Sequence, residues 1–143
     1  MIPVFIDTRE QRPWTFPEPT FTVEKRTLRT GDYTIAGLED CVTLERKSLG
    51  DFVDTVIHDW IRFRKELRRM AGFDYAAVVV EADISDVAEK RYDTQANPES
   101  IFGRAADITI DHGIPVLWWG SRSLCEPRVW QFLRILAKRE GIK

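Results

Sequence analysis

The chain mixes short apolar runs with longer stretches in which apolar residues recur every third or fourth position. Residues 3–8, PVFIDT, form a β-branched and aromatic run that predicts a strand. Residues 9–20 hold three prolines in twelve positions, which predicts a loop, because proline fixes φ and removes a backbone donor. Residues 21–28 alternate weakly, as an edge strand does, and Gly31 ends the run. Residues 33–36 and 41–46 predict two strands of a hairpin around a turn at 37–40. From Ser48 on, Leu49, Phe52, Val53, Val56, Ile57, Trp60, Phe63, Leu67 and Met70 fall at steps of three and four. That spacing predicts one long amphipathic helix closed by Gly72. The run AAVVV within 74–82 predicts a strand covered on both faces. A short helix over 84–90 follows, then a loop, then a helix opened by Asn97 and Pro98 and ending near Gly113. Residues 114–119 predict another strand. Ser123 and Glu126 have capping-box spacing for a last helix over 124–139, stopped by Gly141. Early strands followed by alternating helices and strands predict a three-layer α/β fold with a mixed central β-sheet flanked by helices.

The length of 143 residues fits one domain over 1–143, large enough to bury a core without disulfide or metal. An apolar fraction of 43% with 31% charged residues excludes long disorder and collagen. No apolar run reaches the ~20 residues of a membrane span. The N-terminus MIPVFIDTRE has no signal-peptide pattern, so a cytoplasmic protein is expected. Cys41 and Cys125 form no CxxC pattern, and His58 and His112 are isolated. Neither a zinc site, a disulfide framework nor a Ser/His/Asp set is expected. The net charge of −2 lends no support to nucleic-acid binding. Its distribution is uneven: residues 81–111 carry eight acids and three bases, residues 112–143 six bases and two acids.

Acidic residues recur at the predicted strand ends. Asp7 and Glu10 close the first strand, Asp32 opens the hairpin, Glu45, Arg46 and Lys47 end it, and Asp51 lies one turn into the next helix. Residues i and i+2 of a strand share a face, so Glu45 and Lys47 emerge together. The hairpin brings Asp32 alongside, and the first strand can supply Asp7 or Glu10. Converging carboxylates suit a hard divalent cation such as Mg²⁺, which prefers oxygen ligands and keeps several waters. Such an ion polarises a phosphate and acidifies a bound water, while a lysine stabilises developing charge. The pattern points to metal-assisted phosphodiester hydrolysis. Each position also has a structural reading: Asp51 as a cap partner of Ser48, Asp32 as a turn residue, Glu45 to Lys47 as edge-strand charges.

Residues 31–51 read GDYTIAGLEDCVTLERKSLGD, or G-D-x12-E-R-K-x3-D, and residues 6–10 read IDTRE. In this order the segments resemble the nuclease motif of the XPF-type structure-specific endonucleases, including small stand-alone bacterial and phage members. The resemblance implies a restriction-endonuclease-like fold over a single nuclease domain, and cleavage of DNA with Mg²⁺ or Mn²⁺. It implies Glu10, Asp32 and Glu45 as metal ligands, with the Arg46 carbonyl beside them. Lys47 becomes the catalytic lysine, and Asp7, Arg9 and Asp51 support the site. A bacterial cytoplasm, or a host cytoplasm for a phage-encoded protein, would be its location. The gap between GD and ERK is longer than is usual in that family, and an insertion at 37–40 in the turn absorbs it.

DNA contact is expected from the domain itself. Arg62, Arg64, Lys65, Arg68 and Arg69 surround Glu66 on the long helix and suit phosphate contact. The resemblance implies a basic residue about this far beyond the ERK, which makes Arg62 the favoured contact, with Arg9 and Arg46 as further substrate contacts. Trp14 is expected to pack rather than to stack on a base. The wide apolar arc of the last helix allows a homodimer or heterodimer. The competing readings are a catalytically silent DNA-binding or dimer-scaffold subunit of the same fold, and an unrelated domain whose acids are merely surface.

Overall fold

A computed structural model describes residues 1–142. The elements run β1 (Ile2–Asp7), β2 (Phe21–Arg26), β3 (Tyr33–Ile35), β4 (Val42–Ser48), α1 (Leu49–His58), α2 (Trp60–Met70), β5 (Tyr75–Glu81), α3 (Ile84–Ala88), α4 (Pro98–His112), β6 (Val116–Trp118) and α5 (Arg122–Arg139). The six strands form one mixed sheet in the order β2-β1-β3-β4-β5-β6. Strand β3 runs antiparallel to both β1 and β4, and the remaining neighbours are parallel. The predicted edge strand is indeed at an edge, and its exposed outer residues follow from having one neighbour.

Side-chain alternation divides the core in two. Ile2, Val4 and Ile6 of β1, Tyr33 and Ile35 of β3, and Val42 and Leu44 of β4 face Val129 and Leu133 of α5. Val78 and Val80 of β5 face the opposite way, toward Phe52 and Val56 of α1, Phe63 and Leu67 of α2, and Ile108 of α4. The valine run predicted to be covered on both faces is covered in this way. On α5, Trp130 and Phe132 also pack partly against the first core, so much of the wide apolar arc is used within the chain.

Three local expectations change. The long helix breaks at Asp59, whose φ of −114° and ψ of 27° leave the helical region. Asp59 N–H closes α1 on Thr55 O at 3.1 Å, and Asp59 O receives Phe63 N–H at 3.0 Å in α2. The apolar stripe survives because each helix still buries its own share of it. The last helix starts at Arg122 with Ser121 as cap, not at the Ser123/Glu126 box. Glu126 is drawn away instead, accepting from Thr15 N–H at 2.7 Å and Thr15 Oγ1 at 2.9 Å. Finally, β1 and β2 are parallel neighbours joined without a helix. The proline-rich loop makes that crossover by laying Trp14 and Phe16 on the α5-side core. It is tied down where Trp130 Nε1 donates to Thr15 O at 2.7 Å and Arg122 Nη2 to Pro13 O at 2.5 Å.

Candidate active site

The acidic residues meet where β1, β3 and β4 come together. Asp7 N–H donates to Asp32 O at 2.8 Å, and Asp32 N–H to Leu44 O at 2.8 Å. Arg46 N–H donates to the Asp32 carboxylate at 2.7 Å. These bonds place Asp32 between the end of β1 and the end of β4. Gly31 is needed for the turn: its φ is +74°, and a Cβ there would lie 2.0 Å from Thr43 Oγ1. Gly31 is therefore a packing requirement of this turn.

Because Leu44 faces α5, its neighbour Glu45 faces α1 and α2, and Lys47 follows on the same side. Lys47 Nζ is 3.2 Å from Glu45 Oε2 and 5.2 Å from the centre of the Phe63 ring. A cleft of about 310 Å³ opens over this end of the sheet, lined by Asp7, Glu10, Asp32, Glu45, Glu66 and the arginines at its rim.

The five carboxylates are not equivalent. Asp7 is buried, yet hydrogen bonds from Arg9 (Nε at 2.7 Å) and Leu28 N–H (2.9 Å) hold it below the usual carboxylate range. Glu10 turns toward the other face, accepting from Tyr33 Oη at 2.7 Å and Arg46 Nη1 at 3.1 Å. Asp32 is pushed up to about 6, by burial first and then by the charges of Glu10 and Glu66, against the pull of Arg46 N–H and Lys47. Glu45 is raised well above its ordinary value by burial and by Asp32 and Glu66, with Lys47 opposing. Asp32, Glu45 and Glu66 thus crowd negative charge into a partly dry cleft, and the charge of Lys47 moderates both raised acids.

This donor set fits a divalent cation. Among the described residues, no three acidic, histidine or cysteine side chains already converge on one point. Asp32 and Glu45 are adjacent hard oxygen donors, and Mg²⁺ takes few carboxylates and fills its shell with water and substrate oxygens. A 2+ charge would relieve the repulsion that raises both acids.

The other predicted site residues lie apart from this pair. Arg46 points to the opposite face, its side chain 14% exposed, with Nε 2.5 Å from Glu81 Oε1 and Nη1 2.6 Å from Arg12 O. Its guanidinium also lies 4.9 Å from the Trp14 ring centre. It is a structural hub, occupied by protein groups rather than open to substrate. Trp14 is 1% exposed and packs as expected, donating from Nε1 to Glu81 at 2.6 Å. Arg9 sits at the cleft rim with its side chain 71% exposed. Asp51 is exposed in the first turn of α1, its N–H capped by Ser48 Oγ at 3.2 Å, and does not line the cleft. Arg62 lies in an adjoining recess of about 210 Å³ that also holds Lys47, and pairs with Asp59 at 3.3 Å. Sequence reasoning passed over Glu66 as one acid among five bases. The spacing of Arg62, Glu66 and Arg69, at i, i+4 and i+7 on one helix face, is the signal that would have found it.

Comparison with known proteins bears on both fold and site. A family model described as the ERCC4 domain matches residues 6–124. A Methanocaldococcus jannaschii protein described as an ATP-dependent RNA helicase is 26% identical over 117 residues. That match covers 82% of this chain but 13% of the relative, so the chain spans a small part of that protein's length. The structure of XPF from Aeropyrum pernix superposes with a TM-score of 0.74 at 21% identity, covering 97% of this chain and 67% of that one. XPF from the same organism in complex with DNA gives a TM-score of 0.69 at 21% identity, covering 97% and 66%. The fold is the restriction-endonuclease-like α/β arrangement of XPF. No helix among the described residues is long and apolar enough to cross a membrane. The matched span takes in Asp7, Glu10, Asp32, Glu45 and Lys47, and the chain belongs to the ERCC4 domain family.

Proposed function

We propose that this chain is a divalent-metal-dependent endonuclease that hydrolyses DNA phosphodiester bonds with Mg²⁺ or Mn²⁺, and that it prefers branched or flap DNA. The observation that carries this reading is the pairing of Asp32 and Glu45 in one cleft, both raised by burial and by neighbouring carboxylates, with Lys47 3.2 Å from Glu45 in the adjoining recess. A cation held by Asp32, Glu45 and the Arg46 carbonyl would polarise the scissile phosphate and acidify a water.

The chain's own groups do the rest. Glu45 and the Phe63 ring hold the Lys47 ammonium at the cleft, where it donates to a non-bridging phosphate oxygen as negative charge builds. Glu10, fixed by Tyr33 and Arg46, lines the cleft edge and would be a further ligand to the ion. Asp7 orients Arg9 at the rim, where the guanidinium meets the DNA backbone. Asp51 acts by starting α1, and Arg62 contacts a phosphate outside the cleft.

The test is cleavage of labelled single-stranded, duplex, flap and four-way-junction DNA with Mg²⁺ or Mn²⁺, in wild type, Asp32→Ala and Lys47→Ala. Metal-dependent cutting that both variants lose is the expected result. Cutting that survives either substitution overturns the assignment. DNA binding without cutting in any metal would favour the silent scaffold instead.

A further inference from the structure

We propose that the groove next to the carboxylate cleft is a binding subsite for one unpaired nucleotide of the DNA strand flanking the scissile phosphate. The proposal rests on the endonuclease reading above and adds where the strand leaves the cleft. The groove has a volume of about 410 Å³ and lies between residues 27–30, the β3–β4 turn and the end of α2. It adjoins the carboxylate cleft, because Arg29 and Arg69 line both. Arg69 also lines the recess that holds Lys47 and Arg62, so three depressions meet at this one side chain.

The chemistry of the groove is graded along its length. At the end nearest the carboxylates stand Arg29 and Arg69. Both are exposed, and among the described residues neither side chain makes a hydrogen bond or ion pair. Arg9, Arg46 and Arg62 by contrast are each bound to a carboxylate. Two open guanidinium forks beside a crowded acidic cleft suit phosphate, which they can grip with two hydrogen bonds each. They also offset the repulsion a phosphate would meet from the carboxylates. Phe73 is half-buried in the groove and offers a ring for stacking. At the far end, Asp40 and Glu39 repel phosphate and accept hydrogen bonds from base amino groups. The polarity is phosphate inward and base outward. A recess of this size suits one nucleotide rather than a base pair, so it favours a strand that is unpaired beside the cut.

The test is fluorescence anisotropy with labelled single-stranded and duplex DNA of equal length, in Ca²⁺ to prevent turnover, across a salt series. Arg29→Ala and Arg69→Ala are each expected to weaken single-strand binding about tenfold. Each should also flatten the slope of log affinity against log salt by about 0.7. Phe73→Ala should weaken it about tenfold with the salt slope unchanged. If that variant fails to fold, Phe73→Leu keeps the packing and removes the ring. Duplex binding should change less than twofold. Unchanged single-strand affinity and slope in both arginine variants, or equal losses for both DNA forms, would overturn the subsite. Because the readout is binding, it is independent of cleavage. Wild type that cuts while the variants bind normally sinks the subsite alone, whereas wild type that never cuts while the variants lose single-strand binding sinks the endonuclease reading and leaves a single-strand site with no scissile phosphate beside it.

Discussion

Replacing Asp32 with asparagine should make the metal-free protein more stable, although it removes a residue at the centre of the proposed site. In the folded state the Asp32 carboxyl is pushed from 3.8 to about 6. A folded-state value above the unfolded one means that ionisation opposes folding. The stability this group contributes is complete below its unfolded value and is lost as pH rises through about 6. The rise from 3.8 to about 6 sets a ceiling of ~3 kcal/mol on what ionisation costs. Asparagine removes the charge and keeps an oxygen for Arg46 N–H, which now donates at 2.7 Å. Glu45 shares the same repulsion, so we expect a gain of about 1–2 kcal/mol at pH 7.5, or roughly 3–6 °C in Tm. The assay is thermal unfolding of wild type and Asp32→Asn in EDTA at pH 4 and pH 7.5. The variant should gain at pH 7.5 and show little difference at pH 4. With Mn²⁺ the order should reverse at pH 7.5, because wild type alone binds the ion tightly. A variant that is destabilised equally at both pH values would refute the reasoning, since the carboxylate would then be a stabilising group.

Glu66→Gln should lower the titration midpoint of Asp32, followed by carboxyl NMR, because Glu66 is one of the charges that raises it; an unmoved midpoint would remove Glu66 from the site. Gly31→Ala should cost about 2–4 kcal/mol in urea unfolding, through positive φ and the contact with Thr43, and Thr43→Ala in the same chain should restore part of it. A loss under 0.5 kcal/mol would show that the turn relaxes freely. Arg46→Met should lower stability by about 3–5 kcal/mol, since Glu10 and Glu81 lose their shared partner. Arg46→Lys should recover little of it, because an ammonium cannot span Glu81, Glu10 and the Arg12 carbonyl together; full recovery in the melt would contradict the hub role.

Much of this protein could be read along the chain, because the signals are local. The β-branched and aromatic run PVFIDT, the AAVVV run, the Asn-Pro helix start and the three-and-four spacing of apolar residues each act over a few positions. They yielded the strands, most helices and the layered class. The period of two also set Glu45 and Lys47 on one face, and the ordered GD and ERK segments identified where the acids gather. What the sequence could not decide depends on groups distant in the chain. Glu126 abandons a local cap because Thr15, on a loop more than a hundred residues earlier, offers it two donors, its backbone N–H and its hydroxyl. Arg46 shares a tripeptide with Glu45 and Lys47 but serves the other face of the sheet, held by Glu81 and Glu10. Glu66 reads as one more helix charge until α2, turned by the break at Asp59, lays it over the same cleft as Asp32 and Glu45. The state of the acids is a tertiary property as well. Burial and like charge raise Asp32 and Glu45, while Arg9 and Leu28 N–H lower Asp7, and neither effect exists before the strands meet. Local pattern determines which residues can form each element; which charges face one another, and at what cost, is decided only when distant elements share a site from which water is partly excluded.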